Sequence, residues 1–208
     1  ITKKNPKSLL PNALTIFGVC LGLSSIKFAI DTNFSMSIIA IGFAAILDTL
    51  DGRVARLIKG TSKVGKELDS LTDVISFGVA PGFIMYFWAL NEIGKFGWMF
   101  VLIYTVCCAL RLARFNLTEI GESETWKINF FEGVPSPAAA GLVLLPLILS
   151  LSGLVQFENI ATVSSITILL TSILMVSKIP TYSLKRILIP RNLAIFLLLG
   201  IGIYLSLV

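Results

Sequence analysis

The sequence predicts an all-α protein, a polytopic bundle of transmembrane helices, and three observations predict it. The chain has 208 residues, of which 55% are hydrophobic and only 14% charged, with a mean hydropathy of +0.89. A water-soluble domain of this length carries far more polar surface. The apolar residues form continuous runs, several of which reach the roughly 20 residues that a helix needs to cross a bilayer. A transmembrane β-barrel would alternate polar and apolar residues instead. The charges gather at the ends of the runs, not along them. Residues 1–208 are therefore read as one transmembrane domain.

The elements follow in order. Residues 1–12 (ITKKNPKSLLPN) form a basic, proline-containing entry, and the first span runs from about Pro11 to Ile30. No removable signal peptide is expected, because the polar start leads into a full-length span. Asp31-Thr32-Asn33 is a tight turn. The second span begins near Phe34; its apolar part ends at Leu47, too short to cross alone, and continues as DTLDGRVARLI. That helix is expected to leave the hydrocarbon while still helical. Residues 59–63 turn the chain, and the third span starts near Val64 with a polar first third before becoming apolar from Val74 to Leu90. After a turn at 91–95, the fourth span covers about Phe96 to Asn116, followed by the longest loop, 117–134. The fifth span follows Pro135-Ser136-Pro137, the sixth covers about Ile160 to Val176, and a basic loop at 177–191 leads to a seventh apolar run, Asn192 to Val208.

Charge asymmetry orients the bundle. With the N-terminus inside, all of the 17 basic residues except Lys27 and Lys95 fall on the cytoplasmic side, as the positive-inside rule requires. The loop at 117–134 and the basic loop at 177–191 are then cytoplasmic, in a multi-pass protein of the cell membrane. The net charge of +5 follows from this topology and from attraction to anionic headgroups, and it calls for no nucleic-acid partner.

Composition also narrows the chemistry. The chain has no histidine, so imidazole is not available as acid, base or ligand. Cys20, Cys107 and Cys108 lie inside apolar segments without zinc-site spacing, and are read as core residues. Carboxylates, hydroxyls, guanidinium, ammonium or a bound ion must carry any reaction.

The stretch from Asp48 to Asp73, DTLDGRVARLIKGTSKVGKELDSLTD, concentrates four aspartates at the polar ends of two successive spans. Charges at such a depth need partners or a task. At about 100° per residue on a helix, Asp48, Asp51, Gly52, Ala55 and Arg56 fall within an arc of roughly 140°. On the next helix Gly65, Asp69, Asp73, Ser76 and Ala80 fall within a narrower arc. Helices joined by a short turn pack as antiparallel neighbours, so the two faces converge on one cavity open to the cytoplasm. Converging carboxylates repel one another, and cations relieve that repulsion. All-oxygen ligation suits Mg²⁺, Mn²⁺ or Ca²⁺. Three or four carboxylates exceed what one Mg²⁺ takes from protein, which points to two metals with substrate oxygens at the open positions. Gly52 and Gly65 leave room for a ligand, and Arg56 offers a cation of phosphate-matching geometry. The competing reading is a pair of solvated helix ends with ordinary charge pairs. A cation-coupled transporter is a second alternative, since intramembrane acids also mark ion paths, but it would place them near the bilayer midplane.

The spacing D-x2-D-G-x2-A-R-x8-G-x3-D-x3-D, met by Asp48, Asp51, Gly52, Ala55, Arg56, Gly65, Asp69 and Asp73, resembles the signature of the CDP-alcohol phosphotransferase family. The resemblance implies a core of six transmembrane helices, to which the seventh run adds at least one C-terminal helix, and a homodimer. It implies transfer of a phosphatidyl-type group from a CDP-activated lipid, or of a phospho-headgroup from a CDP-alcohol, with release of CMP. By the same resemblance Asp48, Asp51 and Asp69 hold two divalent cations, Mg²⁺ or Mn²⁺ with Ca²⁺ as a non-productive occupant. Asp73 stands at their edge, as a fourth metal residue and as the general base. Asn12 and Thr15 resemble nucleotide-side residues, alongside Gly52, Ala55, Arg56 and Gly65.

The stretches LLPNALT (9–15), DSLTDVISFGVAPG (69–82), LRLARFN (110–116) and GVPSPAAAG (133–141) resemble family members whose acceptor is L-serine; archaeal phospholipid donors belong to the same chemistry. Glycerol 3-phosphate or inositol phosphate is the alternative acceptor. Arg111 and Arg114 are candidates for the serine carboxylate or a lipid phosphate, Asn116 for the acceptor, Glu132 for the serine ammonium, and Ser76 and Ser136 for further contacts. Each has a plainer use: snorkelling for the arginines, back-bonding or capping for the serines, a helix start for Asn12 and Thr15, a solvated loop for Glu132.

Overall fold

The computed structural model describes residues 9–57, 63–118, 130–177 and 180–182. Helix α1 (Leu9–Ile30) and helix α2 (Phe34–Leu57) form an antiparallel hairpin and pack on each other along their length. The turn between them places Thr32 at φ 59°. Ser37 Oγ donates to the carbonyl of Ser25 at 2.6 Å, and Lys27 meets Asp31 one helical turn on. Helix α2 remains helical through DTLDGRVARL, as its unbroken periodicity predicts.

The third span is not one regular helix. Helix α3 (Lys63–Asp73) passes into a π-helical turn (Val74–Val79) and then into helix α4 (Ala80–Trp88). The reason is local. Pro81 has no N–H, so the carbonyl of Phe77, four residues earlier, has no α-helical donor. The chain takes up one extra residue instead, and Ala80 N–H bonds the carbonyl of Ile75. A short 3₁₀ turn (Leu90–Ile93) and Gly94 at φ 62° lead into helix α5 (Lys95–Thr118). Helix α6 (Ser136–Leu151) starts after Pro135, and helix α7 (Ile160–Val176) is capped by Asn159, whose side chain accepts from Thr162 N–H. The two loops read as 117–134 and 177–191 meet: strand β1 (Phe130–Glu132) pairs antiparallel with strand β2 (Pro180–Tyr182). Of the turn read at 59–63, Lys63 instead opens α3 and residues 59–62 lie outside the described residues, as does the seventh apolar run at 192–208.

Among the described residues four helical stretches are long and apolar enough to cross a membrane: Pro11–Ile30, Phe34–Val54, Val64–Trp88 and Lys95–Asn116. The shorter helices Ser136–Leu151 and Ile160–Val176 are also apolar. Ile16, Phe17, Phe43, Ile46, Val106, Leu110, Ile166 and Ile173 are exposed on the outer faces, a pattern suited to hydrocarbon solvent. The core is built on α4 and its neighbours, with Ile84, Met85, Val101, Tyr104, Val143, Leu147 and Ile168 fully buried. Small residues let the helices approach closely, the usual device where lipid supplies no hydrophobic drive. A Cβ on Gly22 would stand 2.6 Å from Ser76 Oγ, and one on Gly78 3.0 Å from Cys108 Sγ.

Candidate active site

Two aspartates three residues apart on α2 and two aspartates four residues apart on α3 each share a helix face. Packing brings the faces together. One carboxylate oxygen from each of Asp48, Asp51 and Asp69 lies within 4.8 Å of the other two. Asp73 completes the group from the end of α3, with its carboxyl in side-chain hydrogen-bond contact with Asp48. Two carboxyls face each other in this way only with a proton or a cation between them. The other oxygen of Asp73, Oδ1, is buried and has no hydrogen-bond partner among the described residues.

The donor set fits a hard divalent cation. All ligand atoms are carboxylate oxygens, with neither nitrogen nor sulfur among them. Oxygens around one Mg²⁺ at about 2.1 Å, or one Ca²⁺ at about 2.4 Å, lie up to about 4.2–4.8 Å apart. The three carboxylates therefore already stand within reach of a common ion.

The cluster is held from the first helix. Thr15 Oγ1 lies 2.7 Å from Asp51 Oδ2 and 3.0 Å from the carbonyl of Pro11. A hydroxyl has one proton to give, and the charge-assisted bond to the carboxylate is the stronger. Asp51 is only 4% exposed, so water does not substitute for this donor. Thr15 resembles a nucleotide-side residue, and the structure puts its hydroxyl directly on an aspartate 36 residues away. Asn12, one turn earlier on α1, is half-buried.

Helix α5 approaches from the other side. Arg111 is buried, and its guanidinium donates to Ser136 Oγ at 2.8 Å. Its Nε has no partner among the described residues, and it stands within electrostatic range of Asp73. Arg111 and Ser136 thus border the acidic cluster together. Arg114 points elsewhere: it donates to the carbonyl of Val176 at 3.0 Å, satisfying the end of α7 as a cation at a helix C-terminus does. Asn116 Nδ2 donates to Ser70 Oγ at 2.9 Å, tying the end of α5 to α3.

Ser76 lies off the cluster. It is 1% exposed, and its hydroxyl donates to the carbonyl of Gly18 on α1 at 3.4 Å. Gly52 sits beside Asp51 on an exposed face where an added Cβ would meet nothing within 4 Å. Gly65 is half-buried two turns before Asp73. The side chains of Ala55, Arg56 and Glu132 lie outside the described residues, although their backbones belong to α2 and β1.

Comparison with known proteins identifies the family. Residues 8–179 match the family model described as CDP-alcohol phosphatidyltransferase. A CDP-diacylglycerol--serine O-phosphatidyltransferase of Mycobacterium leprae (strain TN) is 40% identical over 187 residues, covering 89% of this chain and 62% of that protein. The protein of the same name from Mycobacterium tuberculosis (strain ATCC 25618 / H37Rv) is 39% identical over 196 residues, covering 94% of this chain and 68% of its own length. That from Helicobacter pylori (strain ATCC 700392 / 26695) is 40% identical over 204 residues, covering 98% and 83%. The chain thus spans about three-fifths to four-fifths of the length of these relatives.

Proposed function

This chain belongs to the CDP-alcohol phosphatidyltransferase family, and from that premise we propose that it transfers a phosphatidyl group from a CDP-activated lipid to the hydroxyl of L-serine, releasing CMP. The observation that carries the chemistry is the convergence of Asp48, Asp51 and Asp69 with Asp73 against them. The acceptor is supported by the serine-specific names of relatives 39–40% identical to it.

In this reading residues 1–208 form one catalytic domain of a multi-pass membrane enzyme, working as a homodimer with its site on the cytoplasmic face. Asp48, Asp51 and Asp69 would hold two divalent cations, Mg²⁺ or Mn²⁺, with Asp73 at their edge. When bound, such ions neutralise the diphosphate and stabilise the charge that develops on the transferred phosphorus and on the departing phosphate. Thr15 fixes the orientation of Asp51. Gly52 leaves space for the nucleotide, and Arg56 supplies a phosphate contact. Arg111, braced by Ser136, receives the serine carboxylate through its planar fork.

Asp73 is the general base. The buried Oδ1, without a donor among the described residues, is an acceptor for the serine hydroxyl proton. As that proton leaves, the serine oxygen forms a bond to the β-phosphorus. The bond from that phosphorus to the bridging oxygen breaks on the opposite side, and CMP departs with the bridging oxygen. One in-line displacement inverts configuration at phosphorus.

The test is CMP release by the purified protein with CDP-diacylglycerol, Mg²⁺ or Mn²⁺, and a panel of acceptors. L-serine is expected to give CMP and phosphatidylserine in equal amounts. Release with glycerol 3-phosphate or inositol phosphate, and none with L-serine, would overturn the acceptor while leaving the family chemistry standing.

A further inference from the structure

The π-helical turn begins at the residue after Asp73, the candidate base. It is fastened by a bond from outside the helix. Tyr104 on α5 is fully buried, and its hydroxyl donates to the carbonyl of Phe77 at 2.7 Å. This is the carbonyl whose α-helical donor is missing because residue 81 is proline. The tyrosine thus replaces a backbone donor that the sequence has removed.

The surroundings are built for this contact. A Cβ on Gly78 would lie 3.0 Å from Cys108 Sγ, and one on Gly82 3.0 Å from Val101 and 3.7 Å from the Tyr104 ring. The two glycines let α5 lie directly against the turn. Ser76 in turn bonds the carbonyl of Gly18 on α1. The turn is therefore held by both α1 and α5. Its register matters because the extra residue of a π turn rotates one half of a helix against the other by about 100°. The half before the turn presents Asp69 and Asp73 to the aspartates of α2. The half after it buries Ile84 and Met85 in the core.

We propose that Tyr104 is a positioning residue for the transfer reaction: its hydroxyl locks the π-helical turn whose register aims Asp73. The proposal rests on the assignment of Asp73 as general base. Tyr104 touches no reacting group and acts through the backbone of residues 74–79.

Tyr104→Phe removes one oxygen and leaves the ring in place. It is expected to lower kcat about tenfold, the worth of one buried hydrogen bond, with KM for both substrates unchanged. Hydrogen exchange at the amides of residues 78–80 is expected to quicken by a similar factor. Pro81→Ala returns an N–H four residues after Phe77. In that background the same tyrosine substitution is expected to cost less than about threefold, since the carbonyl has a second donor. A Tyr104→Phe enzyme with wild-type kcat overturns the proposal, as does an equal loss in both backgrounds, which would mark a packing effect alone. Unchanged exchange at residues 78–80 overturns it as well. A wild-type protein that releases no CMP with any acceptor refutes the assigned activity instead, and the exchange measurement still decides whether Tyr104 fastens the turn.

Discussion

Replacing Thr15 with valine isolates a single bond to the acidic cluster. Valine keeps the branched shape and deletes the hydroxyl, so packing on α1 is retained and Asp51 Oδ2 loses a donor 2.7 Å away. Asp51 is 4% exposed, and among the described residues the backbone N–H of Gly52 also supports it. A hydrogen bond to a charged group contributes about 1.5–3 kcal/mol, and outer partners of metal ligands typically change affinity 10–100-fold. With the Gly52 bond still in place the lower half of that range applies, about 1.5–2 kcal/mol, or roughly 10–30-fold weaker metal binding. The assay is titration of the purified protein in detergent with Mn²⁺, reading free Mn²⁺ by electron paramagnetic resonance. Thr15→Ser, which keeps the hydroxyl, is expected to stay within about threefold of wild type on the same bond energetics. Wild-type Mn²⁺ affinity in Thr15→Val would refute the reasoning, because Asp51 would then not be a ligand that Thr15 orients.

Asp69→Ala removes one of the three converging carboxylates and is expected to weaken Mn²⁺ binding by well over tenfold; calorimetric titration indistinguishable from wild type would remove Asp69 from the ligand set. Arg111→Lys keeps a charge but loses the fork, and the KM for L-serine is expected to rise about 10–100-fold with the KM for CDP-diacylglycerol unchanged. A rise confined to the lipid substrate would reassign Arg111 to the lipid phosphate. Gly22→Ala forces a Cβ to 2.6 Å from Ser76 Oγ and 3.0 Å from its Cα, an overpacking that costs about 1–3 kcal/mol and lowers the unfolding midpoint by roughly 2–10 °C. Gly42→Ala, where a Cβ meets nothing within 4 Å, is the control and is expected not to lower it; equal effects at both positions would refute the close-packing argument.

Much of the site was legible because helical periodicity survives where hydropathy fails. The run DTLDGRVARL keeps its two acids three residues apart on one helix face, so α2 could be followed past its apolar end, and it is helical to Leu57. Short turns and shared faces then brought Asp48, Asp51, Asp69 and Asp73 together. What could not be read depends on contacts between distant elements. The arc that grouped Ser76 and Ala80 with the aspartates assumed a regular helix through residue 80. The π turn breaks that regularity, and Ser76 faces α1. Its trace in the sequence is Pro81; the donor that completes it, Tyr104, lies 27 residues from Phe77. Thr15 gave no sign of reaching Asp51, and Arg114 no sign of binding the end of α7. The β1–β2 pairing joins three-residue segments from two loops, one of them starting with proline, and neither has the length or alternation that marks a strand.

The division of labour among the four aspartates is the core of the account, and Asp73→Asn tests it most directly. Asparagine keeps the shape, removes the negative charge and cannot accept the hydroxyl proton as a carboxylate does. Mn²⁺ and CDP-lipid binding by this variant are expected to stay close to wild type, while CMP release with L-serine falls by about 10²–10⁴-fold, the usual contribution of a general base. Turnover near the wild-type rate would contradict the assignment of Asp73 as base. Loss of metal binding together with turnover would instead make Asp73 a ligand first.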